Sequence, residues 1–239
     1  MNRPDHYKNT EAYYERVGNV WGIYTSDNYS IESFKYNSNS DQHIDEIAKR
    51  AKIKDGDVIL DCGCGFGKVI SELQKRFPPN TFSGVTLNQC HVDRKQHENV
   101  TVGNFEELKN APESVDVILF IESFNHAFDK DCVLKECFRT LKKGGTLFIL
   151  DQCITEKLFS STLHNKVFRE LYKNHSEFYG AKPISPNYII QKAKQVGFTL
   201  ESCIENVPNH VVNSQNESLK KVIIVEFLDT IYSELVFTK

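Results

Sequence analysis

The sequence predicts an α/β fold built on a doubly wound, parallel β-sheet. Short apolar strand patterns alternate with helical patterns between residues 57 and 151, which is the order of βαβ units with parallel strands and right-handed crossovers. A glycine-rich loop joins the first strand directly to a helix, as in sheets that bind ligands at the carboxyl ends of their strands. The length of 239 residues accommodates one such core.

The composition is typical of a globular protein and excludes several other classes. Hydrophobic residues make up 40% of the chain and charged residues 26%, which argues against disorder or a coiled coil. With 29 Lys and Arg against 32 Asp and Glu, the net charge of −3 does not favour nucleic acid as a partner. The apolar runs are too short to span a membrane and the first residues lack a signal sequence, so we expect no membrane insertion and a cytoplasmic location.

The seven cysteines are scattered and odd in number, which favours reduced thiols over a disulfide framework. Cys62 and Cys64 lie inside the glycine-rich loop, and Cys90-His91 is the only adjacent Cys/His pair. This spacing is poor for structural zinc, and we expect no metal site.

Residues 1–40 are polar and aromatic and predict an irregular or short-helical arm. The main domain is predicted over residues 41–239, beginning with a helix at 41–51 because apolar residues recur there at helical spacing. A buried strand over 57–61 follows, since Val58 to Leu60 are consecutive apolar residues. The aromatic residues of the arm are Tyr7, Tyr13, Tyr14, Trp21, Tyr24, Tyr29, Phe34 and Tyr36.

The later elements are predicted from the spacing of apolar residues, which differs between helices and strands, and from residues that stop helices. The helix after the glycine loop ends at Pro78-Pro79, and the helix before strand five ends in Lys142-Lys143-Gly144-Gly145, where glycines stop it and lysines complement its dipole. The predicted strands after the first cover residues 81–85, 100–102, 115–121, 146–151, 198–204 and 232–238. The predicted helices after the first cover residues 69–77, 88–96, 132–141, 163–173, 186–196 and 217–228.

The glycine loop is the most informative segment for function. Its three glycines, Gly63, Gly65 and Gly67, exceed what a tight turn needs and indicate close approach of the backbone to a nucleotide-like ligand. A nicotinamide dinucleotide fingerprint would require glycine at position 68 and an acid at the end of the second strand. The chain has Lys68 and the strand end Gly84-Val-Thr86, so a nicotinamide oxidoreductase is disfavoured.

With Asp61 before the first glycine, the loop resembles the acid-x-Gly-x-Gly-x-Gly motif of class I S-adenosylmethionine-dependent methyltransferases. The resemblance covers residues 41–205 and implies a Rossmann-like, mostly parallel seven-stranded sheet with helices on both faces and an N-terminal lid. It also implies S-adenosyl-L-methionine as cofactor. Further matches are Gly84-Val-Thr-Leu-Asn-Gln89 at the second strand, Gly103-Asn-Phe105 after the third, and Phe120 to His126 after the fourth.

Within this family the second-strand motif is similar to the branch of sterol, tocopherol, cyclopropane-fatty-acid and geranyl diphosphate C-methyltransferases. In that branch a nearby Gln replaces the ribose-binding acid, and Asn104 stands at the position that contacts adenine. The resemblance assigns cofactor contacts to Asp61, Gly63, Gly65, Gly67, Thr86, Leu87, Gln89, Asn104, Phe105 and Ile121.

Four residues are candidates for the chemistry. Glu122 lies at the end of strand four and is the candidate base, while His126 is a second base or a cap of the following loop. Trp21 and Tyr24 resemble the lid of prenyl diphosphate C-methyltransferases and offer π faces to a cation. These residues suggest C-methylation of an isoprenoid or prenyl diphosphate alkene.

Several alternatives remain open at this stage. An N- or O-methyltransferase of a small amine or natural product would use the same cofactor pocket, and the fold also occurs in noncatalytic partner proteins. A small-molecule acceptor is expected in either enzyme, and the sequence leaves the oligomeric state open. The alternative to a lid is that the aromatic residues of the arm form a hydrophobic cover for the helix at 41–51.

Overall fold

The computed structural model describes residues 3–20, 36–37, 39–208 and 230–239. These residues form a seven-stranded sheet of order β3-β2-β1-β4-β5-β7-β6. The strands are β1 Val58–Cys62, β2 Thr81–Thr86, β3 Val100–Val102, β4 Val115–Ile121, β5 Leu141–Ile154, β6 Thr199–Ile204 and β7 Thr230–Thr238. The helices are α1 Arg3–Val20, α2 Ser40–Arg50, α3 Lys68–Arg76, α4 Gln89–Asp93, α5 Lys130–Thr140, α6 Glu156–His164, α7 Lys166–Tyr179 and α8 Pro186–Val196.

Strands β1 to β5 pair in parallel, and β7 enters antiparallel between β5 and β6. The mostly parallel, doubly wound sheet predicted from the sequence is therefore confirmed. The chain order reverses between β1 and β4, so the carboxyl ends of these two neighbouring strands open into a crevice, which is where such sheets bind ligands.

Helices cover both faces of the sheet. Helices α2 and α3 bury Ile47 and Leu73 against one face, while α5 and α8 bury Leu134 and Ile189 against the other. Alternate residues of each strand face the two layers, as Ile59 and Leu60 do on β1. Burial on both faces explains why the parallel strands are nearly continuous apolar runs.

The N-terminal region differs from the irregular or short-helical arm that the sequence predicted. Residues 3–20 form one 18-residue helix, α1, which packs against α7. The polar sequence of α1 lacks a strong apolar stripe, so periodicity alone does not reveal it, and tertiary contacts hold it in place. Trp21, Tyr24 and the predicted helix 217–228 lie outside the described residues. The division of the chain at residue 40 stays a prediction.

Three helix boundaries also differ from the prediction, each for a local reason. The helix predicted over 163–173 is two helices, because the Asn165 side chain accepts a hydrogen bond from the Val167 amide and starts α7. Helix α4 stops at Asp93 rather than residue 96, where the Gln96 amide instead donates to the Phe66 carbonyl. Helix α5 ends at Thr140, so the predicted glycine stop at 142–145 falls within β5.

No helix among the described segments is both long enough and apolar enough to cross a membrane.

Candidate active site

A cleft opens at the carboxyl ends of β1, β2 and β4, and α1 forms part of its wall. Nine of the residues predicted from the sequence meet there, whereas Gly67, Gln89 and Asn104 do not line it. The nine are Asp61, Gly63, Gly65, Thr86, Leu87, Phe105, Ile121, Glu122 and His126. The cleft is also lined by residues for which no such role is predicted: Thr10, Cys64, Phe66, Lys68, Val69, Asn88, His91 and Ser123, together with Tyr14 of the arm.

The glycine loop folds tightly because two of its amides share one acceptor. The amides of Gly63 and Cys64 both donate to the Val85 carbonyl, at 2.8 and 3.1 Å. Gly63 has a φ of +83°, and a Cβ at this position would overlap the buried side chain of Ser123. Only glycine therefore fits between β1 and the end of β4.

Gly67 has a packing role in the fold, and its contact with the cofactor stays a prediction. It precedes α3 with a φ of +79°, and a Cβ there would collide with Val100 on β3. The third glycine thus permits close packing between the start of α3 and the sheet. Gly65, with a φ of +54°, does line the cleft.

Asp61 provides a buried carboxylate in the cleft. The residue is 2% exposed, and among the described side chains none donates a hydrogen bond to its carboxylate. Burial raises the pKa of Asp61 to about 7. A buried carboxylate without a donor is costly, and a cationic or hydrogen-bonding ligand group would relieve that cost.

Glu122 follows β4 in a backbone conformation that is uncommon outside glycine. Its φ is +55°, and its amide donates to the Leu150 carbonyl on β5 at 2.8 Å. The Tyr232 hydroxyl on β7 donates to Glu122 Oε1 at 2.9 Å. The backbone of Glu122 is therefore held from β5 and its carboxylate from β7. No local sequence pattern points to Tyr232, which lies 110 positions away.

His126 joins the N-terminal helix to the cleft. Its Nδ1 lies 2.9 Å from the Gly180 carbonyl, which can only accept, so Nδ1 carries the proton and Nε2 accepts from the Tyr14 hydroxyl at 2.8 Å. Burial lowers the pKa of His126 to about 4, which keeps the ring neutral. With both nitrogens engaged, this geometry favours a positioning role over the predicted role as a second base.

Two polar residues predicted to touch the cofactor are committed elsewhere. Gln89 is exposed, and its side-chain amide donates to Asp93 at 2.8 Å. Asn104 accepts from the Glu106 amide through Oδ1 at 2.8 Å, closing its own turn. His91, two residues after Gln89, instead lines the cleft: its Nδ1 lies 3.1 Å from Thr86 Oγ1, and its buried Nε2 has no hydrogen-bond partner among the residues that the structure describes.

His91 makes the stability of the fold depend on pH. The residue is 2% exposed, and burial lowers its pKa to about 4, below its ordinary value of 6.5. Both folded and unfolded chains hold it neutral above pH 6.5, whereas below that pH the unfolded chain binds the additional proton. The free energy of unfolding therefore falls as the pH falls from 6.5 towards 4.

We expect protonation of His91 in the unfolded chain to lower the free energy of unfolding by about 2 kcal/mol between pH 7 and pH 5. In His91→Gln, the free energy of unfolding measured with urea should fall less over this pH interval. The remaining fall is expected from His126, whose pKa burial also lowers. His164→Gln, which changes an exposed histidine, is the control. An identical pH dependence in the parent protein and in His91→Gln would contradict the assignment.

The comparisons with known proteins agree with this fold. Residues 60–149 match a family model described as a methyltransferase domain. The chain is 27% identical over 217 residues to the sterol 24-C-methyltransferase of Clavispora lusitaniae, which covers 83% of this chain and 56% of that protein. The chain thus spans about half the length of the curated relatives it matches.

Solved structures show the same architecture. The cyclopropane synthase MmaA2 from Mycobacterium tuberculosis superposes with a TM-score of 0.73 at 15% identity, covering 98% of each chain. Geranyl diphosphate C-methyltransferase from Streptomyces coelicolor A3(2) superposes with a TM-score of 0.70 at 15% identity, covering 98% of this chain and 97% of that one. These likenesses concern the fold.

The fold and the glycine-loop cleft are similar to those of class I S-adenosylmethionine-dependent methyltransferases. The family match places the methyltransferase domain itself at residues 60–149, and the cofactor of this class is S-adenosyl-L-methionine. The described residues fit that group: Gly63 and Gly65 bring the backbone to the wall of the cleft, and Asp61 offers a buried carboxylate to an ammonium group.

Proposed function

We propose that the protein transfers a methyl group from S-adenosyl-L-methionine to an alkene carbon of an isoprenoid small molecule, with Glu122 as the base. The observation that carries the proposal is the Glu122 carboxylate, held at 2.9 Å by Tyr232 in a cleft that also has the aromatic rings of Tyr14, Phe66 and Phe105. The sterol and geranyl diphosphate enzymes named above support the same substrate class.

The cofactor, when bound, supplies an electrophilic methyl group on its sulfonium. Methyl addition to an alkene leaves a carbocation, which must lose a proton from a neighbouring carbon to restore a double bond. Glu122 can accept that proton, and the aromatic rings of the cleft can stabilise positive charge through their π faces. Burial in the cleft excludes water that would otherwise trap the cation.

The charges of the cleft favour an uncharged alkene over a diphosphate. Among the described residues that line it, Lys68 is the only cation, since His91 and His126 remain neutral near pH 7. A diphosphate carries several negative charges and is recognised by clusters of Arg and Lys or by metal ions. We therefore favour an apolar acceptor such as a sterol with an unsaturated side chain.

The test is a methylation assay with S-adenosylmethionine that carries a ¹³C-labelled methyl group. Three acceptors are compared: a sterol with an unsaturated side chain, geranyl diphosphate, and dimethylglycine as a representative amine. We expect a new carbon-bound methyl group in the sterol, identified by mass spectrometry and NMR. Label that appears only on nitrogen would overturn the proposal in favour of an N-methyltransferase.

A further inference from the structure

Tyr232, on strand β7, contacts the proposed base Glu122. Strand β7 runs antiparallel to β5 and begins at the edge of the sheet where the cleft opens, with Tyr232 opposite Gln152. Its Tyr232 hydroxyl donates to Glu122 Oε1 at 2.9 Å, whereas Tyr232 itself does not line the cleft. Tyr232 therefore reaches the site through Glu122.

The backbone of Glu122 shows why such support matters. A glutamate at a φ of +55° is in a sparsely populated conformation and persists where surrounding contacts hold it. Within the described part of the chain two hydrogen bonds do so: the Glu122 amide donates to the Leu150 carbonyl and fixes the backbone from β5, and the Tyr232 hydroxyl fixes the carboxylate from β7. Both supporting groups lie on paired strands, which are the rigid part of the fold.

We propose that Tyr232 is a positioning residue, which orients the Glu122 carboxylate and stabilises its ionised form. The inference rests on the proposed function, because it assigns Glu122 the role of a base. A hydrogen bond donated to a carboxylate favours the charged form, which is the form that accepts a proton. Among the described residues, Asp151 interacts electrostatically with Glu122, and the ionisable residues Asp61, Lys68, His91 and His126 line the same cleft.

Strand β7 supplies a matched control for this pair. Glu234, two residues after Tyr232 on the same face of the strand, accepts from the Tyr36 hydroxyl at 2.5 Å and from Arg50 at 2.9 Å. Neither Tyr36 nor Glu234 lines the cleft. Tyr36→Phe therefore removes the same hydroxyl from the same kind of partner, away from the site.

The experiment follows the Glu122 carboxyl carbon by ¹³C NMR, assigned by its absence in Glu122→Gln. In Tyr232→Phe we expect its titration midpoint to move to higher pH, while Tyr36→Phe leaves the midpoint in place. With the unsaturated sterol as acceptor, Tyr232→Phe should lower kcat about tenfold and shift the acidic limb of the rate profile upward, with unchanged affinity for S-adenosylmethionine.

The double variant separates this inference from the function on which it rests. If Tyr232 acts through Glu122, adding Tyr232→Phe to Glu122→Gln causes no further loss of kcat. An unmoved titration midpoint in Tyr232→Phe, or an equal further loss in the double variant, overturns the positioning role and leaves the proposed base intact. Full turnover in Glu122→Gln overturns the proposed function itself.

Discussion

Replacing Glu122 by glutamine is expected to lower kcat by about 10² to 10⁴, the usual contribution of a general base. Glutamine keeps the shape of the side chain and can still accept from Tyr232, but it cannot take a proton from a carbocation. Because the proposed cofactor contacts lie on other residues, the affinity for S-adenosylmethionine measured by calorimetry should stay within about twofold. Turnover of the unsaturated sterol is the second measurement.

Glu113 offers a control with the same backbone character. Glu113 precedes β4, whereas Glu122 follows β4. The φ of Glu113 is also positive, at +51°, but its side chain is 54% exposed. Glu113→Gln should leave both turnover and cofactor affinity unchanged. If Glu122→Gln instead weakens cofactor binding as much as turnover, Glu122 is a cofactor ligand rather than a base.

Gly63→Ala is expected to cost about 3 kcal/mol of stability or more, from left-handed strain and from overpacking. The new Cβ would overlap Ser123, whose hydroxyl donates to the Cys62 carbonyl at 2.5 Å and cannot retreat without breaking that bond. Since Gly63 lines the cleft, affinity for S-adenosylmethionine should fall as well. Urea unfolding and calorimetry measure the two effects separately.

Gly56→Ala isolates the contribution of strain. Gly56 has a φ of +87°, similar to that of Gly63, but a Cβ there meets nothing within 4 Å. We expect this variant to lose only about 1 kcal/mol, the cost of the left-handed conformation, and to bind the cofactor normally. Equal losses of stability in the two variants would show that Gly63 is not required by packing against Ser123.

The parts of the site that could be predicted from sequence are those encoded by local spacing. Asp61, Gly63 and Gly65 lie within five residues of one another, and the order of strand, loop and helix places them at the cleft without knowledge of any distant contact. Glu122 follows from the same rule, because the end of a buried parallel strand must reach the same edge of the sheet.

The residues that were missed depend on contacts between distant parts of the chain. Tyr232 meets Glu122 only because β7 inserts beside β5, and Thr10 meets Gly180 only because α1 docks on α7. The resemblance assigned Gln89 to the cofactor, whereas a five-residue helix is too short for periodicity to indicate that His91 faces the cleft. Pairing of remote elements is set by the whole fold, so no local pattern reports it.

The insertion of β7 between β5 and β6 bears on how the chain reaches its folded state during synthesis. Every other strand emerges from the ribosome earlier, so until residues 230–238 appear, β5 and β6 each lack a neighbour on the side that β7 will occupy. Strand β5 contains the continuous apolar run Leu147 to Leu150, and such an open edge is a site of chain-to-chain association. Nascent chains that stall before residue 230 should therefore depend on chaperones to remain unaggregated.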